Sequence, residues 1–180
     1  MVPEAPLEAT DAGTVARGEG WFVLNARDAV WWERPGRGAF CDFEAGTDFR
    51  QLGVNVTVLR PGEPMAMYHW EADQEDFLVV AGEALLVVEE EERPLRTWDF
   101  VHCPPGTRHV IVGAGAGPCV VVCVGARERS TGPEWGAYSV SDAAQRHGAG
   151  VERETTEPRE AYARFGESTQ TRYRDGWLPG

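Results

Sequence analysis

The sequence contains no lysine: all 17 basic residues are arginine. A pyridoxal Schiff base, a lysine nucleophile and a Walker-type phosphate loop are thereby excluded. Positive charge is scarce overall. Twenty-nine acidic side chains leave a formal net charge of −12, which argues against nucleic acid and anionic membranes as main partners. Long apolar runs are also missing. None approaches the roughly 20 residues of a membrane span, and the opening stretch MVPEAPLEATDAG is acidic, with no apolar signal core. A cytoplasmic protein is the expectation. Cysteine is limited to Cys41, Cys103, Cys119 and Cys123, with no C-x-x-C pair. Cys119 and Cys123 lie in a strand-like run, roughly 13 Å apart by strand rise, too far to bond to each other. Reduced, buried thiols are expected.

What is present reads as one β-rich domain with arms. Residues 1–13 look like a disordered arm, with almost nothing to bury. Residues 14–39 hold two apolar bursts, Gly20–Leu24 and Val30–Trp32, expected as strands covering a larger core, and the loop Arg34–Gly38. From residue 40 to 127 short apolar runs alternate with turn signals: Pro61-Gly62, Gly82, Glu89–Glu92, Pro104-Pro105-Gly106, Gly113–Gly117 and Gly125. This spacing predicts an all-β sandwich or barrel, with no βαβ unit. Residues 128–180 read as a C-terminal arm. Ser141 is placed to cap a helix over 142–147 with Gly148 as its stop, and Thr156-Glu157-Pro158 to start another that ends near Gly166. Tyr173 and Trp177 need burial, on the barrel or on a second subunit. A homodimer is expected, anchored by the tryptophan-rich bursts and this tail.

The chemistry concentrates between Gly62 and His109. His69 and Glu71 are two apart, which in a strand puts both on one face. Glu75 shares parity with Phe77 and Val79, and His109 follows the Pro104–Thr107 turn. Two imidazoles and two carboxylates on rigid strands are the donors a divalent cation needs.

These residues resemble the motifs of the cupin superfamily. The family's first motif, Gly, about five residues, His-x-His, three or four, Glu, six, Gly, is matched by Gly62, His69-Trp70-Glu71, Glu75 and Gly82. Its second, Gly, five, Pro-x-Gly, two, His, three, Asn, is matched by Trp98, Pro104-Pro105-Gly106, His109 and Gly113. Three departures stand out: Glu71 replaces the second His, Trp98 the first Gly of the second motif, and Gly113 its Asn. The resemblance implies a double-stranded β-helix (jelly-roll) barrel with a metal inside, held by His69, Glu75 and His109. Glu71 is either a fourth ligand, or a catalytic group that faces substrate or acts as a base. The donor set suits Mn, Fe, Ni or Zn. The implied function is a metal-dependent enzyme of oxygenase, isomerase or lyase type acting on a small polar metabolite; the alternatives are a non-catalytic small-molecule sensor and a barrel whose metal is structural.

Other side chains receive blander readings. His102 is expected to pack in a pocket wall, His147 to end a helix, and Glu89–Glu92 to form a solvated hairpin tip. Asp73 and Asp76 are expected at the surface, Tyr68 and Trp70 on the outer layer. Met65, Met67, Phe77, Val79 and Phe100 are expected as cavity lining or core. A bound divalent ion cuts the formal charge to about −10.

Overall fold

The β-branched runs of the central segment pair into two sheets. The structure is a computed structural model describing residues 1–129, 132 and 134–180. The strands are β1 (Leu7–Thr10), β2 (Gly13–Ala16), β3 (Val30–Glu33), β4 (Ala39–Asp42), β5 (Leu52–Leu59), β6 (His69–Glu71), β7 (Glu75–Ala81), β8 (Glu83–Val88), β9 (Glu91–Arg96), β10 (Phe100–Cys103), β11 (His109–Ala114), β12 (Cys119–Ala126), β13 (Gly136–Tyr138) and β14 (Thr169–Thr171). One sheet has the order β10-β7-β12-β5-β4-β3-β14; the other is β13-β6-β11-β8-β9. Among the described residues there are two short helices, α1 (Asp142–Arg146) and α2 (Pro158–Ala161).

The sheets face each other across a core that includes Leu59, Phe77, Val79, Leu86, Ile111 and Val121. Alternate residues of the same strands point outward and are buried there too. Val87 and Val110 pack with Tyr68 under Ala143 and Ala144 of α1, and Val58 and Val120 pack with Trp31. Burial on both faces explains why the strands read as continuous apolar runs rather than as strict alternation. All four cysteines are buried and free. Burial pushes the thiols of Cys41 and Cys123 up to about 12 and that of Cys119 to about 11, so these thiolates are suppressed.

Several segments differ from the sequence reading. Residues 7–16 form the β1–β2 hairpin instead of a disordered arm, held by Ala5 N–H to the Trp21 carbonyl and Arg17 N–H to that of Pro6. Gly20–Leu24 forms no strand, and Trp21 and Val23 are exposed. Pro94 lies inside β9, which is tolerated because β9 is an edge strand. The second helix stops at Ala161, and Tyr162 and Phe165 pack beside it from a turn. The aromatic tail folds back on its own chain: the Trp31 ring lies 5.0 Å from that of Trp177 and 6.0 Å from that of Tyr173. Ser141 caps α1 through the Ala144 N–H, and His147 closes its last turn, as the sequence predicts.

The two departures in the second motif have local causes and effects. A Cβ at Gly113 would stand 2.1 Å from the Arg60 carbonyl oxygen, so the crossing of residues 60–63 over β11 leaves no room for a side chain. Trp98, by contrast, sits at φ +77, a conformation that costs a non-glycine residue on the order of 1–2 kcal/mol. Its side chain is 73% exposed and packs little. Trp98→Gly is therefore expected to stabilise the fold by up to about 1 kcal/mol, after the extra freedom of glycine in the unfolded chain is set against the relieved strain. Urea denaturation checks this; a loss of stability would show that the exposed indole has a packing role.

Candidate metal centre

Three donors meet between the sheets. His69 opens β6 and His109 opens β11, and the two are direct cross-strand partners. Their rings lie 5.0 Å apart, centroid to centroid. Glu75 opens β7 in the opposite sheet and reaches across. Its Oε2 is 3.3 Å from His109 Nε2 and 3.6 Å from His69 Nε2. One donor atom from each residue lies within 4.8 Å of the other two. The turn before His109 is fixed to β6 by the Gly106 N–H, which donates to the Glu71 carbonyl, and Gly106 adopts φ +86, which that turn requires.

Both imidazoles are oriented by the same local device. His69 Nδ1 lies 2.8 Å from the Met67 carbonyl oxygen, and His109 Nδ1 lies 3.0 Å from that of Thr107. A carbonyl only accepts, so each Nδ1 carries hydrogen and each Nε2 is left to face Glu75. The contacts among the donors are badly aligned for hydrogen bonding: Glu75 Oε2 and His109 Nε2 are buried with no hydrogen-bond partner. Orphaned buried donors gathered around one point are costly in themselves and fit a small cation at that point.

Burial disfavours a charge on His69, but the carboxylates of Glu71 and Glu75 outweigh it and raise its pKa to about 10. Burial also opposes charge on His109, and Cys103 and Glu75 outweigh it, raising the group to about 9. Glu75 is held well below the usual carboxylate range: its burial is overcome by the two imidazoles. Without metal, the centre stores protons on its histidines.

Glu71 stands beside this trio and not within it. Its Oε1 is 3.6 Å from His69 Nε2, and it lies outside the group of three mutually close donors. It lines a cavity of about 330 Å³ together with the trio, Met65 and Phe77. A wider cleft of about 780 Å³ shares Phe40, Asn55, Glu71, Glu75 and Cys123 with that cavity.

Other predicted residues fall elsewhere. His102 is half-exposed and pairs with Asp76 at 2.7 Å, away from the cavity, because the register sets it opposite outward-facing Asp76. Phe100 faces solvent for the same reason, opposite Leu78. Asp73 is buried and accepts the Arg129 N–H at 2.6 Å. Tyr68 packs in the outer layer, as its parity predicts. Glu90, in the acidic turn, accepts a hydrogen bond from the Ser141 hydroxyl, so this turn helps seat α1. Residues the sequence reading missed complete the cavity: Arg34, Trp135, Tyr138 and Tyr162. They come from loops and the C-terminal arm and carry no motif spacing.

The cupin domain family model matches residues 55–125, the span from β5 through β12. No curated protein matches the chain. Among solved structures, a putative sugar phosphate isomerase from Acidithiobacillus ferrooxidans is 28% identical, covering 43% of this chain and 51% of its own, with a TM-score of 0.42. A sugar phosphate isomerase of the cupin superfamily from Silicibacter pomeroyi is 26% identical, with coverage of 57% and 62% and a TM-score of 0.44. The chain thus spans about half to three-fifths of the length of these two proteins. A polyketide cyclase from Streptomyces resistomycificus, 16% identical, covers 60% of this chain and 81% of its own with a TM-score of 0.52, a likeness of fold. With both motifs seated on facing sheets of a double-stranded β-helix, and the family model matched from β5 to β12, residues 55–125 form a cupin domain.

Proposed function

We propose that this cupin holds one divalent metal ion through His69, Glu75 and His109, and acts as an enzyme on a small polar molecule admitted to the adjoining cavity. The observation that carries the reading is the convergence of two buried imidazoles, each with Nδ1 committed to a backbone carbonyl, on a buried carboxylate that has no hydrogen-bond partner. Two nitrogens and one carboxylate suit Mn, Fe, Ni and Zn alike. Such an ion supplies a Lewis acid with positions left for substrate. The open cleft favours this reading over a purely structural ion, which needs a closed shell.

Glu71 is the candidate catalytic residue. It is close enough to the centre to meet a ligand there, and it is placed to take or return a proton as a general base. Tyr138, whose ring lies 5.9 Å from that of His69, is kept a neutral phenol: burial and then Tyr162 push its pKa upward. Trp135 and Tyr162 wall the same cavity.

Two variants separate these roles. Glu75→Gln is expected to weaken metal binding by at least about tenfold, since it removes the one anionic ligand. Glu71→Gln is expected to keep metal affinity within a few-fold of wild type. Calorimetric titration of chelator-treated protein with Zn or Mn reads both. Equal losses in the two variants would make Glu71 a ligand; no loss in either would refute the centre.

A further inference from the structure

The cavity beside the candidate metal centre contains a cation that no carboxylate among the described residues neutralises. Arg34 lines this cavity, and its Nε and Nη2 are buried without a hydrogen-bond partner; Nε of Arg37 is in the same state. Arg37 is only 9% exposed. In a chain with 29 carboxylates, neither guanidinium has one within ion-pair distance among the described residues. They rest on ring faces instead: Arg34 is 4.8 Å from the centre of the Phe40 ring and Arg37 is 4.0 Å from that of Tyr162. Those contacts steady the two side chains but leave Nε and Nη2 of Arg34 and Nε of Arg37 without a hydrogen-bond partner.

The unused atoms of Arg34 have a specific geometry. Nε and Nη2 form one edge of the guanidinium, the edge that matches two oxygens of a carboxylate or phosphate. Arg17 of this same chain uses that edge to hold Glu8, with Nε 2.9 Å from Oε2 and Nη2 3.2 Å from Oε1. At Arg34 no equivalent acceptor is found among the described residues. Burying two neighbouring cations without a counter-ion lowers stability, a pattern that makes sense when a ligand completes the pair.

We propose that Arg34, reinforced by Arg37, is an anion subsite that takes the carboxylate or phosphate group of the substrate, leaving the rest of that molecule facing the His69–Glu75–His109 centre. The substrate class is thus a small organic anion; this placement rests on the metal reading given above, whereas the anion subsite itself does not. Nε and Nη2 of Arg34 are sealed from water, so seating the anion takes a side-chain adjustment of the kind common on binding.

The test is calorimetric titration of chelator-treated protein with inorganic phosphate and, separately, with succinate. Metal-free protein is used so that neither anion can bind through an ion. Wild type is expected to give saturable one-site binding of at least one of them, and the stronger of the two identifies the substrate's charged group. Arg34→Met is expected to weaken that binding by at least about tenfold. Arg34→Lys, which keeps the charge but loses the fork, should fall between, and Arg96→Gln, at an exposed position on β9, should match wild type. Melting temperatures give a second readout. Arg34→Met should melt at or above the wild-type temperature, because an uncompensated buried charge has gone; a structural arginine would give the reverse. His109→Ala should lose metal and keep anion binding, so failure of the metal reading would leave this result intact. Absence of saturable binding to wild type, or wild-type affinity in Arg34→Met, would overturn the subsite.

Discussion

Stripped of metal, the protein is expected to be most stable between about pH 4.5 and 6.5 and to lose on the order of a few kcal/mol as the pH rises toward 10. The sign follows from the centre. His69 and His109 have folded-state pKa values raised above the ordinary 6.5, to about 10 and about 9. Their stabilisation is complete below pH 6.5 and disappears as pH passes through the folded values. Glu75 is depressed from an ordinary 4.5, so its contribution is complete above pH 4.5 and falls away in acid. The metal-loaded protein should not show this alkaline loss: the ion displaces the protons from both imidazoles, so its stability should rise only up to about pH 7 and then stay level toward about pH 9. At pH 7 binding should release about two protons, measurable by calorimetry in buffers of different ionisation enthalpy. Parallel pH profiles for metal-free and metal-loaded protein would contradict the shared site. This exchange also alters the charge arithmetic: two protonated imidazoles already bring the formal −12 of the chain to about −10, and trading two protons for a divalent ion leaves it there.

Trp31→Ala is expected to cost about 3–5 kcal/mol, a large share of the 5–15 kcal/mol that holds a typical domain together. Trp31 is fully buried, donates its indole N–H to the Ala26 carbonyl at 2.8 Å, and carries Tyr173 and Trp177 on its ring. Its removal leaves a cavity on the outer face of the larger sheet and releases the tail that closes it. Urea denaturation should show the lower midpoint, and limited proteolysis should cleave after residue 168 in the variant before it does so in wild type. A loss below about 1 kcal/mol would mean that the tail contributes little to the fold.

The central strands and the meeting of His69, Glu75 and His109 were legible because both depend on short-range pattern. Parity along β7 puts Glu75 inward with Phe77 and Val79, and the spacing of the two motifs brings His69 and His109 to one place. Features that depend on register between distant segments were not. His102 and Phe100 look like site residues until β10 is set against β7, where they face Asp76 and Leu78 on the outside. Asp73 looks like a surface acid, yet the Arg129 N–H reaches it from 56 residues away. In the β1–β2 hairpin β1 is largely exposed while Val15 and Ala16 of β2 are buried, and backbone bonds to Trp21, Pro6 and Asp28, from segments outside the hairpin, hold it. Arg34 and Tyr162 are the strongest case. They share a cavity but lie in a loop and a C-terminal turn, with no periodicity linking them. The glycine expected at position 98 is explained only by the positive φ seen there.

The most direct test of the central claim is elemental analysis of untagged protein beside a His69→Ala, His109→Ala double variant that retains the wild-type β-sheet circular dichroism. About one equivalent of a transition metal in the wild type and close to none in the variant is the predicted result. Equal metal content in the two would place the ion elsewhere and remove the centre from which the proposed chemistry is built.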